Sequence, residues 1–316
     1  YQIDLEFKTD LKCYQTHKTN AIAFNSNSTN LSNNIILNSI RDQISIITTG
    51  DGKAFFKNGR IFKWVFNLPA NNLNGASIAI RYILKSNLGN IKGKKISYIF
   101  YQGSYGKNIS KFLNILSKKY GFKLISLPTR YDKEQEIWSK IKKNKPDYIL
   151  VYGSGIINSN SIKLISSINF PIKNLIGIHW SEPEENLIKY GDYINSYKAL
   201  TFTNSDINLK IYKYILNYVY NKNNLTDKPI NFGTVNYNRG LFQGMVNVEA
   251  ALMAQKFHGN LKITASMFHS GMENLIISNK RLEELGFKKF IYPFKNNCSN
   301  HGGSGLAAIQ QWNSKK

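Results

Sequence analysis

One stretch, Lys94–Gly106, constrains the fold more than any other part of the chain. Ile96 to Tyr101 form an apolar run of β-branched and aromatic residues that stops at Gln102-Gly103-Ser104. From Gly106 the period changes, with Ile109, Phe112, Leu113, Leu116 and Tyr120 recurring at spacings of three and four. A continuous apolar strand feeding an amphipathic helix marks a parallel strand and its crossover, because a strand covered on both faces has no polar side to present. The loop between them lies at the carboxyl end of the strand, where open α/β sheets bind ligands. Tyr105 stands at that position.

The same grammar runs through the chain. Lys18–Phe24 reads as a strand ending in the small polar loop Asn25-Ser26-Asn27-Ser28-Thr29, and Gln43–Ile47 as a second ending in Thr48-Thr49-Gly50-Asp51-Gly52. Helices are expected over Asn34–Arg41 and Asn74–Ser86, with a brief strand at Trp64–Phe66 and a Gly/Asn/Lys linker at Asn87–Lys94. Beyond the opening stretch come strand Phe122–Leu127, helix Lys133–Lys142 and strand Tyr148–Tyr152, which stops at Gly153-Ser154-Gly155. A helix over Ser159–Asn169 then precedes strand Leu175–Trp180, ending in His179-Trp180-Ser181, and an extended return at Tyr197–Phe202. Strands alternating with helices, their ends carrying short Gly/Ser/Thr/aromatic loops, indicate an α/β fold with parallel sheets.

The final third is helical, over Ile207–Tyr220, Asn236–Phe257 and Thr264–Leu275. Gly259 supplies a C-terminal stop for the long helix, whose Met and Leu positions read as core. The tail, Ile291–Trp312, reads as a crossing segment plus an edge strand.

The chain of 316 residues suggests two lobes, and its 42% hydrophobic and 19% charged content suits packed cores. No apolar run approaches the roughly 18 residues of a membrane span, and no signal peptide opens the chain. The start lies inside an alternating strand, Ile3, Leu5 and Phe7, so a segment upstream is expected. A net charge of +23 admits polyanion binding. Its cations, however, are nearly all Lys, with Arg only at 41, 60, 81, 130, 239 and 281. Lys, Asn and Ile share A/T-rich codons, and the lysines are scattered rather than gathered into a basic stripe with stacking aromatics. No nucleic-acid partner is therefore expected. Cys13 and Cys298 read as free thiols, and the five histidines show no metal spacing.

Catalytic motifs are missing. There is no GxGxxG between strand and helix and no GxxxxGK[ST], and the spacing around Ser154 does not make a nucleophile elbow. Glu182, Glu184 and Glu185, with Pro183, read as a helix start. His301, before Gly302-Gly303-Ser304-Gly305, reads as a turn residue. What remains is a set of strand-end loops with hydroxyls, backbone amides and aromatics, suited to capturing a small polar molecule without chemistry. An amidase using Ser154 or Asp51 is the enzymatic alternative.

Several segments carry a family resemblance: WVFNLP at Trp64–Pro69, Tyr105-Gly106-Lys107, KPDYILVYGSG at Lys145–Gly155, and NLIGIHWSEPEENL at Asn174–Leu187. To these are added NYNRGLFQGMVNVEAALMAQ at Asn236–Gln255 and CSNHGGSGLAAIQQWNSKK at Cys298–Lys316. With them the chain resembles the type I periplasmic binding proteins of ABC importers, in the branched-chain amino-acid and amide-binding group. The resemblance implies two Rossmann-like lobes joined by three crossovers, 1–92 with 203–287 and 93–202 with 288–316, and a solute held in the cleft. It also implies that lobe one lacks its first strand and helix in this chain. Carried over by position, Asn27, Ser28, Thr29, Gly50, Asp51 and Gly52 are expected to hold a solute carboxylate from lobe one. Tyr105, Ser154, His179 and Trp180 are expected to face it from lobe two. The chain departs from the pattern at Gly177-Ile178-His179-Trp180, where amino-acid binders place a carboxylate for the ligand ammonium. Glu182 and Asp51 are the available substitutes. The implied role is a monomeric extracytoplasmic receptor, with no cofactor or metal, that delivers a branched-chain amino acid, short amide or related acid to an ABC permease and ATPase. A sensor of the same fold is the alternative.

Overall fold

The computed structural model describes residues 11–26, 29–49, 54–102, 104–130, 134–153, 161–163, 165, 167–178, 187–221, 231–259 and 261–314. In chain order the first half contains α1 (Leu11–His17), β1 (Ala23–Ser26), α2 (Thr29–Asp42), β2 (Ser45–Thr49), β3 (Val65–Leu68), α3 (Asn72–Ser86), β4 (Lys95–Tyr101), α4 (Ser104–Tyr120), β5 (Lys123–Thr129), α5 (Glu134–Asn144) and β6 (Tyr148–Tyr152). The second half contains β7 (Leu175–Ile178), β8 (Lys198–Thr201), α6 (Lys210–Ile215), α7 (Val235–His258), α8 (Ala265–Glu273), β9 (Ile276–Ile277), α9 (Asn279–Glu284), β10 (Phe294–Lys295) and β11 (Ala308–Gln311). They divide into two compact units. Unit one comprises Tyr1–Asn71, Asn208–Val219 and Arg239–Gly305; unit two comprises Asn72–Ile207, Tyr220–Asn238 and Leu306–Lys316.

Unit two is built on a six-stranded sheet in the order β11-β8-β7-β6-β4-β5. All pairings are parallel except that of β11 with β8. β4 is buried on both faces, as its unbroken apolar run requires. Ile96, Tyr98 and Phe100 join Ile80 and Ile83 of α3 and Ile109 and Leu113 of α4 in one core. Ile99 turns the other way, onto Ile137, Trp138 and Ile141 of α5. Each such side chain contributes about 1.5–3 kcal/mol by leaving water. The tail forms the expected edge strand, β11.

Unit one carries the parallel sheet β1-β2-β3 over a core of Tyr14, Ile35, Ile36, Ile46, Phe56 and Val65. The long helix α7 ends at Gly259, whose φ of +66° closes it with a bond from its N–H to the Gln255 carbonyl. Thr264 caps α8 by accepting the Met267 N–H, and Ser278 caps α9 by accepting the Arg281 N–H.

Several boundaries differ from the sequence expectation. β1 begins at Ala23, because the Lys18 N–H bonds back to the Tyr14 carbonyl and residues 18–20 turn instead of extending. β2 runs on to Thr49, and α2 begins at Thr29. Ser26 and Thr48 are therefore strand residues in register with one another rather than loop residues. Helix α6 covers only Lys210–Ile215 before Leu216–Asn221 widens to a π-helical turn. Helix α9 and the β9–β10 pair were not expected. Among the described residues no helix is long and apolar enough to cross a membrane.

Candidate functional site

In unit two the chain leaves β4 to one side for β5 and returns on the other side for β6. The strand order thus reverses between β4 and β6, and the carboxyl ends of two such strands leave a crevice into which loops do not cross. Tyr105 lies in the first turn of α4, just after β4, and Ser154 follows β6. The residues expected to act together therefore follow neighbouring strands: Phe100 pairs with Tyr152, and Tyr152 with Ile178. In unit one Ser26 pairs with Thr48, so the segments after β1 and β2 also share one sheet edge. Asn27, Ser28, Gly50, Asp51, Gly52, Ser154, His179 and Trp180, with Glu182, Glu184 and Glu185, lie outside the described residues; for Thr29 and Tyr105 the helical backbone is described.

Helix α4 presents its N-terminus at the switch point, and its first turn carries no acidic residue. The unpaired N–H groups of that turn leave about half a positive charge for an anion to meet. Helix α2 is alike in having no acidic residue in its first turn, directly after β1. Beneath α4 the rings of Tyr98 and Phe100 stack at 4.8 Å and 16°, with Tyr152 packed against the same core. The Tyr98 hydroxyl is buried without a hydrogen-bond partner among the described residues. Burial, and secondarily the neighbouring Tyr152, hold its pKa well above the ordinary phenol value.

The approach of α4 to β4 depends on Gly106. A Cβ there would lie 2.4 Å from Phe100 Cδ2 and 2.8 Å from the Tyr101 carbonyl oxygen. Gly106→Ala is expected to cost about 1–2 kcal/mol net, the overpacking exceeding the gain in helix propensity. Chemical denaturation measures this; an unchanged midpoint would show that α4 can move away freely.

Two polar features escaped the sequence reading. Thr48 donates its hydroxyl to Asn67 Oδ1 at 3.0 Å, and both residues are fully buried at the ends of β2 and β3. Asn72, opening α3, buries both amide atoms without a partner among the described residues. The signal was available in NLPANN, with one asparagine near the end of an apolar strand and two more just beyond it. His301, read as a turn residue, is fully buried, with Nδ1 3.0 Å from the Val65 carbonyl. Both cysteines are free, Cys13 buried and Cys298 exposed.

No family model and no curated protein sequence matches the chain. Its fold does match solved structures. A structure described as an ABC transporter permease from the Pseudomonas fluorescens group superposes with a TM-score of 0.91 at 28% identity, covering 97% of this chain and 76% of that one. A branched-chain amino-acid ABC transporter protein from Thermus thermophilus with bound valine gives 0.79 at 13% identity, covering 96% and 78%. An ABC solute-binding protein from Rhodopseudomonas palustris in complex with benzoate gives 0.67 at 14% identity, covering 95% and 79%. Together with the parallel sheets of both units, these likenesses establish that the chain has the type I periplasmic binding protein fold.

Proposed function

We propose that this chain is the solute-binding component of an ABC importer and that its solute carries a carboxylate or amide on a small apolar body. The observation that carries the reading is the N-terminus of α4, free of acidic residues, at the β4/β6 switch point above the Tyr98–Phe100 stack. An anion or amide oxygen is favoured by the helix end, and apolar atoms by the aromatic residues that follow the strand ends, Tyr105 and Trp180. Valine and benzoate, bound in two proteins of this fold, share that chemistry. Tyr105, Ser154, His179 and Trp180, with Asn27, Ser28, Thr29, Gly50, Asp51 and Gly52, are proposed as the contacting residues. On this reading the protein is an extracytoplasmic monomer without catalytic activity that hands its solute to a permease and its ATPase.

Thermal-shift measurements with valine, leucine, benzoate, acetamide and urea test this, with arginine and glucose as controls. A ligand at one hundred times its Kd adds about 2.7 kcal/mol of stability, so one or more of the first five is expected to raise Tm by several degrees. No shift across those five would refute the solute class. Tyr105→Ala is expected to weaken binding of the best solute by tenfold or more while leaving the solute-free Tm nearly unchanged. Unchanged affinity would move the site away from α4.

A further inference from the structure

We propose that His269, Glu273 and His301 form a proton-responsive joint that clamps together two of the three segments of unit one from which the chain runs on into unit two. Of the five places where the chain passes between the units, two are Asn71–Asn72 and Gly305–Leu306. The segments just before those points are bonded side by side. The Asn67 N–H donates to the His301 carbonyl at 2.9 Å, and the Gly305 N–H to the Pro69 carbonyl at 3.1 Å. Ser304 Oγ donates to the same Pro69 carbonyl, and the His301 N–H to that of Lys57 at 2.8 Å. Gly303, with a φ of +64°, lies so close that a Cβ would meet the Pro69 carbonyl oxygen at 2.6 Å.

The side chain of His301 holds this arrangement from beneath. Its ring stacks on Phe66 at 4.1 Å and 18°, while the ring of His269 lies 4.0 Å from Trp64. His269 Nδ1 is 3.5 Å from Ser45 Oγ. The two Nε2 atoms converge on one oxygen: Glu273 Oε1 is 3.4 Å from that of His269 and 3.6 Å from that of His301. Neither Nε2 has a partner within normal hydrogen-bonding distance among the described residues. The groups facing the cluster are the hydroxyl of Ser45 on β2, the carbonyls of Phe62 and Val65, the ammonium of Lys63, and Glu273 on α8. Gly59 leaves room beside His301, since a Cβ there would lie 2.5 Å from Nε2.

Such a cluster tolerates neutral imidazoles and resists charged ones. Burial, then the facing His301 and Lys63, hold the His269 imidazole down at about 4, and burial holds His301 below its usual value. An imidazole whose folded pKa is depressed stabilises the closed state at neutral pH. That stabilisation fades as pH falls below about 6.5, where the exposed imidazole takes its proton first. Glu273 acts with the opposite sign: burial raises its pKa, so its own proton favours the closed joint. Two imidazoles against one carboxyl leave acidification as the opening signal.

Amide hydrogen exchange, corrected for intrinsic rate, at pH 7.5 and pH 5.0 tests the joint. For His269 alone the opening constant is expected to rise about thirty-fold over that interval. The rise should appear at the Asn67 and Gly305 amides and not in Lys95–Tyr101. The double variant His269→Phe/His301→Asn keeps a ring on Trp64 and a donor toward Val65, and is expected to abolish the rise in opening on acidification, leaving only the opposite contribution of Glu273. Should that variant not fold, NMR titration of the wild-type imidazoles replaces it, with His269 expected to stay neutral at pH 5.5 and His301 to titrate below its usual value. Equal opening at the two pH values, or imidazoles titrating near 6.5, would overturn the proposal.

Discussion

Gly271→Ala is expected to lower the stability of the protein by about 2–4 kcal/mol, among the largest losses that adding one methyl group can produce. Gly271 sits in α8 where that helix crosses α7. A Cβ built there would lie 2.1 Å from the Ala250 carbonyl oxygen and 3.0 Å from the Ala254 nitrogen. Both neighbours are main-chain atoms of α7, in residues that are themselves fully buried, so no side chain can rotate aside to make room. The helices must separate, and α8 would carry His269 and Glu273 with it. The same substitution on the other helix serves as the control. Gly240 and Gly244 lie in α7 with nothing within 4 Å of the place a methyl group would take, so alanine there only gains helix propensity, about 0.5–1 kcal/mol. Urea denaturation of the three variants should therefore give one large loss and two small gains. A Gly271→Ala protein as stable as the wild type would mean that the α7–α8 contact is looser than described.

That contact marks the limit of what could be read from the chain. Lys95–Tyr101 was legible because a strand buried on both faces must be apolar throughout, and α7 because Gly259 closes it. Strand ends were harder. Ser26, Thr48 and Asn67 are polar and read as loop, yet they lie buried in the sheet of unit one, where register and neighbours satisfy them. Propensity describes a residue's own preference, and tertiary pairing overrode it at these positions. The candidate site was legible as a pattern of strand ends, because parallel topology alone brings the loops after β4 and β6 to one edge. The buried polar contacts of unit one were not. His301 meets the Val65 carbonyl across 236 positions, and no local signal announces a partner that distant. The need for Gly271 is equally invisible, since a helix of that sequence reads no differently whether it crosses another helix or faces water.

Arg281→Met is expected to cost about 2–4 kcal/mol, because it strands a carboxylate in the core rather than because it removes a charge. Glu249 projects from α7 and is only 9% exposed. Arg281 reaches it from α9 with two parallel bonds, Nε to Oε2 at 2.8 Å and Nη2 to Oε1 at 2.7 Å. Its remaining arm, Nη1, donates to Glu284 at 3.1 Å. A guanidinium matches both carboxylate oxygens at once, whereas an ammonium is a single point charge. Arg281→Lys should accordingly recover only part of the loss. The decisive comparison is the double variant Arg281→Met/Glu249→Leu. If the deficit of the single variant arises from the unpaired buried carboxylate, removing that carboxylate should restore most of the stability, leaving a coupling energy of about 1.5 kcal/mol or more. A loss below about 0.5 kcal/mol in Arg281→Met would instead place the pair with surface ion pairs, which contribute little. The two outcomes separate because a hydrated carboxylate loses little with its partner, while a buried one has no water to replace it. Helix α9, six residues long, is too short to be stable alone, and its place in unit one rests on this pair and on the burial of Leu282. The single variant should therefore also speed amide exchange across Asn279–Glu284 more than in α7, where the helix has its own length to hold it.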